Sequence, residues 1–212
     1  MLLFYADAHG NFEELISVAR KYHSEIKGIF LLGDQSPGQP LDQELKALGS
    51  GIIAKTYFIL GNHDLESKKY IENHFCIWQN YLNKRTIDID GICIGGFSST
   101  YSEKSIFFSN NNKTKYTIDT LKSKEPLCCE CLSGFSNMSL DILITHEAPS
   151  NHPEGCYKID EAARLSQSSI IIHGHHHEDY ESSLPFGTRI IGLGRQQVLY
   201  FTADMLTNNF YF

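Results

Sequence analysis

Short apolar runs separated by polar turns dominate the chain. LLFYA (2–6), GIFLLGD (28–34) and KTYFIL (55–60) are apolar almost throughout rather than alternating, so each reads as a strand buried on both faces. Phe12, Leu15, Ile16 and Ala19 fall at helical spacing and predict a helix over about 12–22, with Asn11 as N-cap and Glu14 completing a capping box. SPGQP (36–40) is turn chemistry, 41–48 reads as a short helix, and another helix is expected over about 65–73. This β-α-β-α-β order predicts a parallel sheet covered by helices.

The rest is richer in strands. TIDIDGICIGGF (86–97) reads as a hairpin turning near Asp90-Gly91. DILIT (141–145) and SIIIHG (169–174) are two more buried strands, and TRIIGLG (188–194) and QVLYFT (197–202) read as a closing pair. The stretch 98–139 is rich in Ser, Asn and Lys and lacks a long apolar period. It is expected to be an insertion packing over or beside the core of one domain spanning 1–212.

Composition narrows the class. Hydrophobic residues make up 42% of the 212, enough for a sizeable core. A net charge of −7 argues against binding nucleic acid or an acidic membrane through a broad basic surface. Apolar stretches reach roughly seven residues, against the ~20 a spanning helix needs. The opening MLLFYADAHG lacks a basic leader region, and the six Cys are irregularly spaced; both predict a reduced, cytoplasmic protein. Cys128, Cys129 and Cys131 are crowded, but no second Cys pair stands at zinc-site spacing. The unusual number is ten His, several of them clustered.

Five polar clusters each follow a predicted strand: Asp7-Ala8-His9, Gly33-Asp34, Gly61-Asn62-His63-Asp64, Thr145-His146 and Gly174-His175-His176-His177. Sites in α/β sheets form at the carboxyl ends of strands, so these clusters should converge on one edge. Asp7 and His9, and His175 and His177, stand two apart; in extended backbone each pair points one way and could clasp one ion, with His176 pointing elsewhere. Gly33, Gly61 and Gly174 fit places where the chain bends sharply beside a ligand.

The order D-x-H, G-D, G-N-H-D, H, G-H-x-H resembles the calcineurin-like metallophosphoesterase superfamily from Asp7 to His177. The resemblance implies an α/β fold, a four-layer α/β/β/α sandwich of two mixed sheets flanked by helices. It implies one metal on Asp7, His9, Asp34 and His177, and a second on Asp34, Asn62, His146 and His175, with Asp34 bridging. His63 would lie beside the leaving-group oxygen as general acid or orienting group. Asp64 would hold His63 in place, or simply cap a helix before Leu65.

The chemistry follows from charge. Two divalent ions outweigh Asp7 and Asp34, so the site stays positive inside a protein of net −7. A water between ions ~3.5–4 Å apart is acidified and attacks phosphorus in line, while His63 supplies the proton to the departing oxygen. The mixed His, carboxylate and amide donors favour Mn²⁺, with Fe, Zn and Ni as alternatives. The expected partner is a small phosphorylated substrate, neither nucleic acid nor membrane. Gly33-Asp34-Gln35-Ser36-Pro37-Gly38 departs from the D-R-G continuation, and Gly61-Asn62-His63-Asp64 from the G-N-H-E block, of the Ser/Thr protein phosphatases and bis-tetraphosphatase enzymes in this superfamily. The arginine that grips phosphate in that branch is missing, so the chain looks more like small bacterial or archaeal phosphoesterases. A phosphodiesterase is expected ahead of a protein or nucleotide phosphomonoesterase, a nuclease, or an inactive scaffold of the same fold.

Further polar residues carry open readings. His173 reads as a support for His175 or a buried strand residue, His152 as a substrate contact or solvent-facing, and Arg195 as a phosphate contact. Lys104, Lys113, Lys115, Lys122 and Lys124 read as a solvated face, and the tail 208–212 as packing.

Overall fold

The computed structural model describes residues 1–98 and 138–206. The first sheet has four strands: β1 (Leu2–Tyr5), β2 (Gly28–Leu32) and β3 (Thr56–Ile59) run parallel, and β10 (Val198–Phe201) lies antiparallel against β1. The second has six, in the order β4 (Arg85–Ile89), β5 (Ile92–Phe97), β6 (Ile142–Thr145), β7 (Ile170–His173), β9 (Arg189–Gly192) and β8 (Tyr180–Ser183). Its four central strands are parallel and its two edge strands antiparallel.

The unbroken apolar strands have a direct cause. Alternate side chains face opposite layers, and both layers are covered. Leu2, Phe4, Phe30, Leu32 and Ile59 of the first sheet meet Ile94, Ile142, Ile144, Ile170, Ile172 and Ile191 of the second, forming the core between the sheets. The intervening residues Leu3, Tyr5, Ile29, Leu31 and Phe58 face outward against Leu15, Val18 and Ala19 of α1 (Glu13–Lys21) and Leu41 of α2 (Leu41–Glu44). On the far side Leu143, Ile171 and Ile190 pack on Ile159, Ala162 and Ala163 of α5 (Tyr157–Ser166). The molecule is therefore the four-layer α/β/β/α sandwich of two mixed sheets flanked by helices. Two further short helices, α3 (Ser50–Ile53) and α4 (Lys68–Glu72), complete the helical elements that follow β2 and β3.

Several local expectations change. The strands over 188–194 and 197–202 do not pair with each other: β9 closes on β7 and β8, whereas β10 crosses to β1 and covers what would otherwise be its open edge. The hairpin turns at Asp90-Gly91, both with positive φ (54° and 84°). The first helix starts at Glu13, whose N–H binds Asn11 Oδ1 at 3.0 Å. No capping box closes, because the Asn11 N–H is taken by the Ala8 carbonyl at 2.9 Å. The expected helix over 65–73 is shorter and begins after Ser67, which accepts the Lys69 N–H. α5 was not anticipated, since its buried stripe consists largely of Ala and Ser; nor was the polar edge strand β8.

Nearly all of the insertion expected at 98–139, with Cys128, Cys129, Cys131 and its lysines, lies outside the described residues, as does the tail 208–212. Among the described residues no helix is long and apolar enough to cross a membrane, and Cys76, Cys93 and Cys156 are free thiols.

Phe30 is fully buried between the sheets, stacked on Phe4 at 4.9 Å and on Tyr57 at 5.4 Å. Phe30→Ala should lower stability by about 3–5 kcal/mol. A urea midpoint within error of wild type would show that this layer is not tightly packed.

Candidate metal centre

The site lies where the carboxyl ends of β1, β2 and β3 meet those of β6 and β7. Asp7 and His9 follow β1, Asp34 follows β2, Asn62 and His63 follow β3, His146 follows β6, and His175 and His177 follow β7. One ligand atom each from Asp7, His9 and His177 lies within 4.8 Å of the others, and Asp34, His146 and His175 form a second such group. Asn62 joins the second group, its Oδ1 3.1 Å from His146 Nε2. The groups are adjacent: the His175 backbone N–H donates to both Asp7 oxygens, at 3.2 and 3.0 Å.

The backbone is unusual here. Asp7, His9, Asp34, His175 and His177 all have positive φ, between 44° and 75°. Each such residue costs on the order of 1–3 kcal/mol, least for Asp and His, which tolerate this region best. The two-residue spacings therefore do not reflect extended chain. Asp7 and His9 stay together, but His175 and His177 go to different groups, and His176 turns to Glu147. Two glycines are required by close approach rather than by a bend. A Cβ on Gly61 would strike the Asp34 carboxylate, and one on Gly174 the Asp7 carboxylate. Gly33, with φ +93°, is the one of the three that turns the chain.

Electrostatics prepares most of the donors. Asp7 is 0% and Asp34 1% exposed. Burial raises the Asp7 carboxyl, with the nearby His146 charge working against that rise and the Asp34 charge adding to it. Burial also pushes Asp34 upward, but the His146 ring at 3.3 Å and the His63 N–H at 2.7 Å hold it down to about 2. Burial pushes His146 downward; Asp34, Asp7 and the Leu32 carbonyl reverse this and lift it to about 9. Both of its nitrogens face acceptors, Nδ1 the Leu32 carbonyl at 2.8 Å and Nε2 the Asn62 and Asp34 oxygens. Without metal it is an imidazolium. His175 is instead held neutral, lowered to about 3 by burial and by the His146 charge, and burial lowers His9 as well. Two buried carboxylates, neutral imidazoles and an amide oxygen, with His9 Nε2 and His177 Nε2 facing each other at 3.2 Å, are a donor set that fits divalent cations.

The remaining expected residues divide. His63 stands at the rim, its side chain 42% exposed, with Nε2 3.9 Å from Asp34 Oδ2. Its ring is held by Glu66, 2.7 Å from Nδ1, rather than by Asp64. Asp64 neither touches His63 nor caps a helix. Fully buried, it accepts the Ser36 N–H at 2.7 Å and the Gly61 N–H at 2.9 Å, tying the β2 and β3 loops together. His173 is a buried strand residue bonded to Tyr180 Oη at 2.7 Å. His152 is 8% exposed and stacks on His176 at 3.9 Å, so it does not face solvent. Arg195 is exposed, and its charge acts on His9. Sequence reading passed over Glu66, Glu147 and Gln196. Glu147 directly follows His146 and was visible as a charge at the end of a buried strand. Gln196 donates to the Ala8 carbonyl and accepts from Asn11, pinning the Asp7–His9 loop from the crossover between sheets.

Known proteins share the family and the fold of this chain. The family model for calcineurin-like phosphoesterase matches residues 1–179. An uncharacterized protein of Haemophilus influenzae is 25% identical over 211 residues, covering 92% of this chain and 91% of that protein. Among solved structures, phosphopantetheinyl hydrolase from Mycobacterium tuberculosis is 14% identical, with a TM-score of 0.52 over 92% of this chain and 89% of that one. A 5′-nucleotidase precursor from Thermus thermophilus is 12% identical, with a TM-score of 0.56 over 96% of this chain and 51% of that one. At such identities the solved structures show a shared fold. The chain belongs to the calcineurin-like phosphoesterase family, whose members are metal-dependent phosphoric ester hydrolases.

The imidazolium has a measurable consequence. Were His146 to ligate a cation through Nε2, Mn²⁺ uptake near pH 7 should release its proton, and apparent affinity should rise with pH until about 9. Calorimetry in buffers of differing ionisation enthalpy reads this release. A pH-independent affinity between 6.5 and 9 would contradict the pair.

Proposed function

We propose that this calcineurin-like phosphoesterase hydrolyses a small phosphate ester at two divalent ions, Mn²⁺ being the favoured one. One ion would take Asp7, His9, Asp34 and His177; the other would take Asp34, Asn62, His146 and His175. The observation that carries the reading is the pair of donor groups side by side at one edge of the two sheets. Bound there, the ions would polarise the phosphoryl oxygens and acidify a water to serve as nucleophile.

The chain's own residues supply the rest. Asp34 stands among donors on both sides: its Oδ1 accepts the His63 N–H, and its Oδ2 faces His146 and His63. His63 is exposed enough to meet a substrate oxygen, and its Nδ1 is bound to Glu66. That pairing turns Nε2 toward Asp34, where it would serve as the proton donor for the leaving group. Asp64 keeps the loops bearing Asp34 and Asn62 in register through the Ser36 and Gly61 N–H groups. Arg195 adds an exposed positive charge beside His9.

We read the substrate as a phosphodiester ahead of a monoester. A diester carries one negative charge rather than two, and the position after Asp34 holds Gln35, which is 1% exposed, instead of a phosphate-gripping arginine. The single-domain organisation over 1–212, with the 98–139 insertion helping to choose the substrate, belongs to the same proposal.

Asp34→Asn should lose nearly all turnover while keeping the fold, because Asp34 would serve both ions. Wild-type activity in that variant would remove the basis of the proposal. His63→Ala should keep both ions and slow turnover by ~10²–10⁴-fold, most for esters with poor leaving groups. Loss of bound metal in that variant would place His63 among the ligands instead. A Mn²⁺-supplemented panel of p-nitrophenyl phosphate, bis-p-nitrophenyl phosphate, nucleotides and short oligonucleotides should give the highest kcat/KM on bis-p-nitrophenyl phosphate. Preference for the monoester would reverse the assignment of ester type, and preference for oligonucleotides would make the enzyme a nuclease.

A further inference from the structure

Glu147 is a carboxylate at 3% exposure that the catalytic reading does not use. Its Oε1 accepts the Ala148 backbone N–H at 3.1 Å and faces His176 Nε2 at 3.0 Å. Its Oε2 faces His175 Nε2 at 3.8 Å. Glu147, His175 and His176 form a third close group, which overlaps the Asp34–His146–His175 group only at His175. Glu147 thus faces the Nε2 edge of His175 and is not a member of the group around Asp34. His176 is itself fixed from its other face, stacked on His152 with ring centroids 3.9 Å apart and planes 21° from parallel.

One oxygen of the Glu147 carboxylate is already engaged away from His175. The backbone N–H of Ala148 is a permanent donor, and it already occupies the oxygen that faces His176. A carboxylate held by a backbone N–H and facing two imidazole nitrogens is the arrangement that fixes imidazole tautomers beside metals.

We propose that Glu147 is the positioning residue for His175. One oxygen faces Nε2 of His175 at 3.8 Å and the other Nε2 of His176 at 3.0 Å, so that His175 would be left to present Nδ1 to the ion it would share with Asp34, Asn62 and His146. His176, braced by His152, keeps the carboxylate from rotating away. This inference rests on the reading of His175 as a metal ligand.

The test uses the full chain and reads metal rather than turnover. Wild type titrated with Mn²⁺ should bind two ions per chain and show an exchange-coupled pair by electron paramagnetic resonance. Fewer than two ions in wild type would overturn the paired-ion reading itself. In Glu147→Gln one ion should bind as in wild type and the other 10–100-fold more weakly, leaving an uncoupled Mn²⁺ signal at intermediate concentrations. Two ions bound as tightly as in wild type would overturn the role of Glu147 alone. Three ions in wild type, one of them lost in Glu147→Gln, would also overturn it, because Glu147 would then be a ligand. A measurement on wild type needs no variant: with Zn²⁺ bound, ¹⁵N resonances of His175 should show a protonated Nε2 and a metal-bound Nδ1. The opposite assignment would overturn the proposal.

Discussion

Two carboxylates withdrawn from water determine the organisation of this protein. Asp7 and Asp34 lie at the mouth between two sheets, almost without solvent. A buried, unpaired charge costs far more than a folded domain has to spare, so each must be met by donors or cations. The fold supplies donors sparingly. Asp34 receives the His63 N–H and the His146 imidazolium, and Asp7 receives the His175 N–H. His9 and His175, the neighbours that burial holds neutral, offer lone pairs rather than protons. The site is consequently rich in electron-pair donors and short of positive charge, a deficit that bound cations make good.

The backbone carries the same message. Positive φ at Asp7, His9, Asp34, His175 and His177 crowds five donors into the space between strand ends. Glycine at 61 and 174 lets the loops pass directly against the carboxylates. Asp64 and Gln196 then lock those loops from outside, through Ser36 and Gly61 in one case and through Ala8 and Asn11 in the other. Strain of this kind persists only where surrounding structure holds it, and here two sheets with their full helical cover do so.

Sequence patterning made much of this legible. The doubly buried strands were readable because unbroken apolar runs require cover on both faces, and all five polar clusters do stand at the carboxyl ends of β1, β2, β3, β6 and β7. The four-layer stacking itself came only from resemblance, since periodicity cannot say which apolar faces meet. The partner of β10 was misread because a strand's neighbour depends on which edge is open, a tertiary property. α5 escaped notice because Ala162, Ala163 and Ser166 bury a stripe without looking hydrophobic. Glu66 takes the role expected of Asp64 for a similar reason: adjacency in sequence suggested Asp64 as the support of His63, whereas the 3₁₀ turn over His63–Leu65 brings the i+3 carboxylate to the ring.

The central claim is that side chains from five strand ends enclose two cations. Anomalous diffraction from crystals grown with Mn²⁺ tests it most directly. The account predicts two Mn peaks per chain, one bonded to Asp7, His9, Asp34 and His177 and the other to Asp34, Asn62, His146 and His175. A single peak, or peaks away from Asp34, would contradict it.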